Sequence, residues 1–269
     1  QFQAETPRLF LVYLLPSMLI ILSGFLNPLE RINESILEQS FLSVFGHVFQ
    51  AYIFPLLVSF IGAILLTSSV YTTLKLIKNP DTELSVKNSL TLFNEEHFSQ
   101  TFLTLLLKRF YLFLWSIPSL LGIYFLFYSS FLAKKFVAIH PEFPNLDLTS
   151  IETERFLMTF GLYFLASILL MIIGNSLYIP QYYAYSQVEF LLCDTLDLGQ
   201  AKPGQILKTS HFLMKGYKFQ RFILDLQLLP WYFLNWITFG IASFSLLPYI
   251  QINKMIFYRA VLARKRPKA

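Results

Sequence analysis

The chain has 269 residues, of which 55% are hydrophobic, 17% aromatic and only 14% charged, with a formal net charge of +5. Because about a quarter of the residues in a soluble domain are charged, this composition excludes an ordinary soluble domain and is typical of a membrane protein. The positive charges lie at the ends of apolar runs and not in patches interleaved with aromatic residues, so nucleic acid is not expected as a partner.

Long apolar runs separated by polar segments predict a single polytopic membrane domain over residues 1–269, an all-α bundle of six transmembrane helices. The first run is expected to be a retained span, because it is too long for a signal peptide and lacks a small-residue cleavage site. A turn is predicted at Thr238 to Gly240, between the last two spans. The predicted spans are residues 9–26, 51–74, 110–132, 156–180, 219–237 and 241–258.

The distribution of Lys and Arg orients these spans, because cytoplasmic loops carry an excess of both residues. Residues 78–105 and 190–217 are predicted to be cytoplasmic loops, and residues 136–155 an external loop. Both termini are expected in the cytoplasm. Of the 21 Lys and Arg residues, those predicted to lie outside are Arg31, Lys134, Lys135 and Arg155.

Each predicted span carries one proline, which predicts kinked helices. Proline removes an intrahelical hydrogen bond, and in lipid the freed carbonyl must find a donor on a neighbouring helix, a hydroxyl group or water. A bundle kinked around a cavity is one interpretation; the other is that proline is simply commoner in membrane helices than in soluble ones. The residues are Pro16, Pro55, Pro118, Pro180, Pro230 and Pro248.

The segment 202–218 predicts a short amphipathic helix that Pro203 can begin and Gly216 can interrupt. One face carries Leu207, Ser210, Leu213, Met214 and Tyr217, and a neighbouring face carries Lys208, His211, Lys215 and Lys218. This pattern is typical of a helix lying on an anionic bilayer surface on the cytoplasmic side. The four basic residues are therefore the candidate lipid- or partner-binding residues.

Several segments resemble the C-terminal signature of a bacterial polytopic membrane family, domain of unknown function 975. They are YSQVEFLLCDTLDLG, LMKGYKFQRFILDLQLLPW, TFGI and LLPYIQINKMIFY, mainly within residues 185–262. LWSIPSLLGI is similar to a family segment in which a tryptophan precedes a proline–glycine step, separated here as Pro118 and Gly122. Residues 123–184 are expected to be an insertion. The resemblance implies a multi-pass bacterial membrane protein and no particular reaction.

Two carboxylates lie inside or beside apolar runs, where a charge is costly and often functional. Glu189 is expected at the cytoplasmic interface, where a lysine of the amphipathic segment could neutralise it. Asp225 lies four residues after Arg221, so the two can form an ion pair on one helix face. The pair can be structural, or Asp225 can belong to a proton or substrate pathway; a structural pair is the prediction.

No catalytic residues, metal ligands or cofactors are predicted. The histidines are scattered, Cys193 is the only cysteine, and no nucleotide-binding or hydrolase motif is present. Cys193 is expected to react with thiol reagents only after the cell is opened. The sequence favours a non-enzymatic multi-pass protein of a bacterial cell membrane, an accessory, interaction or immunity-type protein. Its expected partners are anionic lipids and a protein, a peptide or a second copy of the chain. The alternative is a small transporter or channel with Asp225 in its pathway.

Overall fold

A computed structural model of the chain describes residues 2–25, 54–78, 85–140, 151–199 and 202–265. All the regular elements within these ranges are helical, which confirms the predicted all-α class. In chain order they are α1 Phe2–Phe25, α2 Phe54–Lys78, a 3-10 helix Val86–Phe93, α3 Glu95–Ile139, α4 Ile151–Ala184, α5 Val188–Leu196, α6 Pro203–Leu213, α7 Lys218–Gln227, α8 Leu229–Ile237 and α9 Ser243–Lys265.

Three helical stretches among the described residues are long and apolar enough to cross a membrane: Pro55–Lys78, Glu96–Ile139 and Ile151–Leu196. A hydrocarbon core about 30 Å thick requires roughly 20 apolar residues in helical form. Leu9–Leu22 is a shorter apolar helix within the first predicted span. These stretches agree with a membrane location and cover the second, third and fourth predicted spans.

The stretch 219–237, predicted as one continuous span, instead forms the two short helices α7 and α8, which meet at Leu228. Pro230 explains the break, because it lacks the amide hydrogen that would bond the carbonyl of Leu226. Pro230 is the second residue of α8, a position that needs no donor. The predicted turn follows α8, where Phe239 and Gly240 adopt positive φ angles of 50° and 86°.

Helices α3 and α4 are longer than the spans predicted within them. The segment TFLTLLLKR, which precedes the predicted span 110–132, belongs to the 45-residue helix α3. Helix α3 ends at Ile139 and α4 begins at Ile151, so both helices extend into the predicted external loop 136–155. The polar residues at these ends thus continue a helix that the apolar pattern alone would end.

The described chain divides into two compact units. The larger one comprises residues 1–108 and 184–269, and the smaller one residues 109–183. The core of the larger unit is made by α2, α5, α6, α9 and the 3-10 helix. Its largest fully buried side chains include Tyr13, Tyr71 and Tyr258, each at most 2% exposed.

A proline-freed carbonyl in α1 shows how the larger unit satisfies its polar groups. Pro16 has no amide hydrogen for the carbonyl of Val12, four residues earlier. The Ser69 hydroxyl of α2 donates to that carbonyl at 2.8 Å, and the Ser89 hydroxyl also donates to it. Both serines are fully buried. The expectation that a neighbouring hydroxyl meets a freed carbonyl is confirmed at this proline.

Hydroxyl side chains of α2 also fix the 3-10 helix. Ser68 and Thr72 each donate to the carbonyl of Asn88 at 3.1 Å, and the Leu92 amide donates to the Ser68 hydroxyl at 3.2 Å. These residues come from the run TSSVYTT, Thr67 to Thr73, near the end of an otherwise apolar helix. The hydroxyl run therefore holds part of the predicted loop 78–105 against α2.

The smaller unit is an antiparallel pair formed by residue 109 onward of α3 and by α4 to Tyr183. The helices approach closely at small residues: a Cβ at Gly174 would lie 2.3 Å from Ser119 Oγ, and one at Gly122 would lie 2.9 Å from the Ser167 carbonyl. Farther along, the rings of Phe136 and Phe156 stack at 3.9 Å. Small residues and stacked rings together fix the register of this pair.

The prolines divide into two groups in the folded chain. Pro16, Pro118, Pro180 and Pro248 lie inside helices, where each removes an intrahelical hydrogen bond. Pro55 and Pro230 are instead the second residues of α2 and α8. At Pro230 the predicted interruption of the span is the break between α7 and α8. The residues before Phe54, which a kink at Pro55 would involve, lie outside the described part of the chain.

Candidate functional site

The segment 185–199, the first part of the resemblance, folds as α5 and a turn that carry three carboxylates. Glu189 lies in the first turn of α5, and Asp194 and Asp197 lie near its end. The opposite face of the helix is buried, because Val188, Leu192 and Leu196 are at most 2% exposed. The carboxylates therefore project from a helix that is fixed in the core.

Each carboxylate of α5 meets a lysine from another segment. Asp194 lies 3.2 Å from Lys78 Nζ and Asp197 lies 4.0 Å from Lys75 Nζ, both at the end of α2. The ion pair of Glu189 is with Lys108 of α3. The expectation that Glu189 meets a lysine of the amphipathic segment is therefore wrong, because its partner lies 81 residues away in the sequence.

Two buried tyrosines bind the same carboxylates from the core side. The Tyr258 hydroxyl of α9 donates to Asp194 at 2.7 Å, and the Tyr71 hydroxyl of α2 donates to Asp197. Half-exposed ion pairs contribute only about 0.5 kcal/mol each, whereas hydrogen bonds to charged groups contribute roughly 1.5–3 kcal/mol. The tyrosines thus fix α5 more firmly than the lysines do.

Helix α6 begins at Pro203, as predicted, and the turn after it contains Gly216 at φ 89°. Its apolar face does not lie free for a bilayer. Leu207 and Leu213 are 3% and 4% exposed within the core, and the Ser210 hydroxyl donates to the Ala184 carbonyl at 2.8 Å. The prediction that this face rests on the membrane surface is wrong for that reason.

The basic face of α6 is exposed, which leaves it available to a ligand. Lys208, His211 and Lys215 are exposed, whereas Lys218 is half-buried at the start of α7. The end of α6 is capped by Lys265 of α9, whose Nζ donates to the carbonyls of Phe212 at 2.9 Å and Lys215 at 3.1 Å. A cation at the C-terminus of a helix donates hydrogen bonds to the free carbonyls and interacts favourably with the negative end of the helix dipole.

The family comparison extends the resemblance over nearly the whole sequence. Residues 1–265 match the family described as "Protein of unknown function (DUF975)". The chain belongs to this family. The match includes residues 123–184, which the sequence pattern predicted as an insertion, as well as the signature on α5 to α9. No curated protein and no solved structure matches the chain.

The predicted Arg221–Asp225 ion pair is present in this DUF975 family member. Arg221 Nη2 lies 3.2 Å from Asp225 Oδ1, and the two side chains are 5% and 21% exposed. The pairing is nevertheless incomplete in its hydrogen bonds, since the contact to Asp225 Oδ1 lacks hydrogen-bond geometry and the buried Arg221 Nε and Nη1 have no hydrogen-bond partner. The Arg221 guanidinium also lies 5.8 Å from the centre of the Phe257 ring.

Lys254 of α9 adds a second cation to this polar cluster. Its ammonium lies 5.9 Å from the centre of the Tyr232 ring and feels the charges of Arg221 and Asp225. Glu189 acts on Lys254 as well, but that carboxylate is already paired with Lys108. Lys254 therefore lies near the Arg221–Asp225 pair, although its ammonium makes no ion pair with Asp225 among the described residues.

Sequence reasoning overlooked Asp194, Asp197 and Lys254 as members of these clusters. The acids could have been noticed because Asp194 and Asp197 lie five and eight residues after Glu189, which places them at the C-terminal end of a short helix. Nothing in the sequence indicated the tyrosines that bind them. Among the described residues, no group of three or more His, Cys, Asp and Glu side chains could hold a metal ion.

Proposed function

We propose that this chain is a non-enzymatic accessory protein of a bacterial cell membrane, of an interaction or immunity type, which binds a partner through the basic face of α6. The observation that carries the proposal is that α6 is anchored by its apolar face and exposes Lys208, His211 and Lys215. A helix held in this way presents its charges in a fixed pattern. Because its apolar face is occupied, the basic face suits an acidic protein surface better than insertion into lipid.

The proposed topology has six membrane crossings with both termini in the cytoplasm. Support comes from the contacts of α5, which unite the ends of α2 and α3 that were assigned to the cytoplasm. At the opposite end, a Cβ at Gly240 would lie 3.3 Å from Ile21 of α1, which fits two segments assigned to the outside. In this arrangement α7 and α8 cross as a broken helix, a form that membranes accept where protein covers the break.

Thiol labelling can test the topology, because the native cysteine is not expected to react in the folded protein. Cys193 is 2% exposed, so the expectation that it reacts once the cell is opened is corrected: the folded protein shields it. We expect a cysteine at Glu154 to react with a membrane-impermeant reagent in intact cells, and a cysteine at Lys87 only in opened cells. Both positions are exposed. Labelling of the Lys87 cysteine in intact cells would contradict the orientation.

Charge reversal tests the basic face of α6. We expect Lys208→Glu combined with Lys215→Glu to remove a partner that co-purifies stoichiometrically with the wild-type chain, while the thermal unfolding temperature stays unchanged. Both side chains are exposed, so the fold does not depend on them. Raised salt should release the same partner, because exposed charges are screened beyond about 10 Å at 0.1 M ionic strength.

The matched control for this charge reversal is Lys87→Glu, an exposed lysine on the 3-10 helix. It should leave the partner bound. If the double variant and the control retain the partner equally, or if the wild-type chain carries none, the proposed role of the basic face is refuted.

A transport function with Asp225 in the pathway is the second candidate. It is favoured by the incomplete hydrogen bonding of the Arg221–Asp225 pair, because a carboxylate that meets its cation without a well-formed hydrogen bond can accept a proton or a substrate group. Substrate-dependent flux in proteoliposomes would support this candidate. The partner-binding proposal expects no such flux.

A further inference from the structure

Helices α7 and α9 enclose an open groove of about 270 Å³ in the larger unit. Its wall is apolar where Ile223 and Leu224 of α7 face Phe257 and Val261 of α9. Arg264 lines it near the end of α9 and supplies its cation. The amides of Gln220 and Gln227 also line the groove. A largely apolar groove with a single cation is complementary to a molecule that has one hydrocarbon chain beside an anionic, hydrogen-bonding group.

A buried arginine, Arg221, lies behind one wall of this groove. Phe257 lines the groove and also faces the Arg221 guanidinium at 5.8 Å. Arg221 is 4% exposed and has two N–H groups without a hydrogen-bond partner, and Lys254 lies one turn before Phe257 on the same helix. Asp225 lies 3.2 Å from only one nitrogen of Arg221, so the other guanidinium N–H groups favour an anion at this end of α7 and α9.

The position of the groove along α7 and α9 indicates which class of anion it would bind. The groove is lined by α9 from Phe257 to Arg264, where the last proposed span ends at the cytoplasmic interface. Phospholipid phosphates lie at this depth, with their acyl chains directed into the bilayer. Basic pockets between helices on the cytoplasmic side are sites at which anionic headgroups bind.

We propose that the groove between α7 and α9 binds one acyl chain of an anionic phospholipid, with its phosphate held by Arg264. This inference rests on the proposed membrane crossings of α7 to α9 but not on partner binding by α6. It gives the exposed apolar wall a hydrocarbon neighbour of matching chemistry.

Native mass spectrometry of the full chain, delipidated and titrated with phosphatidylglycerol or phosphatidylcholine, tests the proposal. We expect one phosphatidylglycerol to remain bound per chain. Arg264→Gln should weaken its binding about fivefold through the loss of one charge near the headgroup. Ala260→Leu, which fills the groove without changing charge, should weaken it at least as much, because Ala260 is a groove-lining residue.

Two neighbouring positions on α9 provide matched controls. Arg259→Gln and Ala263→Leu make the same chemical changes at exposed residues that do not line the groove, and both should bind the lipid as the wild type does. Thermal unfolding confirms that all four variants fold. The Lys208→Glu and Lys215→Glu double variant should also keep the lipid, so failure of partner binding and failure of lipid binding are distinguishable.

Three outcomes would overturn the proposal. Equal binding of phosphatidylcholine and phosphatidylglycerol would show that only general bilayer contacts are made. Equal losses in the groove variants and their controls would assign the lipid to another surface. Competition by inorganic phosphate together with unchanged binding in Ala260→Leu would identify a site for small anions that has no acyl chain.

Discussion

Replacing Asp225 with asparagine should lower the free energy of unfolding by about 3 kcal/mol, the lower end of the cost of breaking a buried ion pair. The variant leaves Arg221, whose side chain is 5% exposed, without the carboxylate that lies 3.2 Å away. Urea or thermal unfolding in a defined detergent measures the loss.

A double-mutant cycle gives this prediction its control. Arg221→Gln alone should also destabilise the chain, because it leaves Asp225 unpaired at 21% exposure. The double variant, with both residues neutral, should recover much of the loss, since neither an unpaired cation nor an unpaired anion remains. Residues that interact directly show such non-additivity, commonly 0.5–3 kcal/mol in a cycle.

The same variant separates the structural role of Asp225 from a transport role. If Asp225 belongs to a proton or substrate pathway, Asp225→Asn should retain its unfolding temperature and lose flux, and no change at Arg221 should restore that flux. A well-folded Asp225→Asn protein with unchanged melting temperature would therefore contradict the structural pair. It would strengthen the transporter alternative.

Replacing Gly174 with alanine should disrupt the contact between α3 and α4. The added Cβ would lie 2.3 Å from Ser119 Oγ and 2.4 Å from the Ser119 backbone nitrogen, so a side-chain rotation cannot relieve the overlap. Overpacking at such a contact costs roughly 1–3 kcal/mol or forces the helices apart. We expect a lower unfolding temperature and a weaker disulfide cross-link between cysteines introduced at Phe136 and Phe156, whose rings stack at 3.9 Å.

Gly161→Ala is the matched control on the same helix. A Cβ at Gly161 has no atom within 4 Å, and alanine favours the helix by up to about 1 kcal/mol over glycine. This variant should be as stable as the wild type or more so. If Gly174→Ala and Gly161→Ala behave alike, the close approach of α3 and α4 at Ser119 is incorrect.

Composition and the lengths of the apolar runs were sufficient to predict an all-helical membrane protein, because lipid accepts only segments that satisfy their own backbone hydrogen bonds. Local signals also located Pro203 at the start of α6, the glycine turns at Gly216 and Gly240, and the Arg221–Asp225 pair. These features depend on residues within one or two helical turns of each other. The missing donor of Pro230 also predicted an interruption within 219–237, although the apolar pattern did not show that the span would divide into two short helices.

Segments distant in the sequence decided which surface covers each helix face and which residue pairs with each charge. The apolar face of α6 has the pattern of a membrane-surface helix, but the folded chain buries it against its own core. Hydrophobic periodicity identifies an apolar face and does not indicate whether lipid or protein covers it. Glu189 pairs with Lys108, and the Val12 carbonyl receives the Ser69 hydroxyl 57 residues away, only because packing unites those helices. Hydrophobic burial is non-directional, so the sequence pattern indicates which faces are covered but not by what.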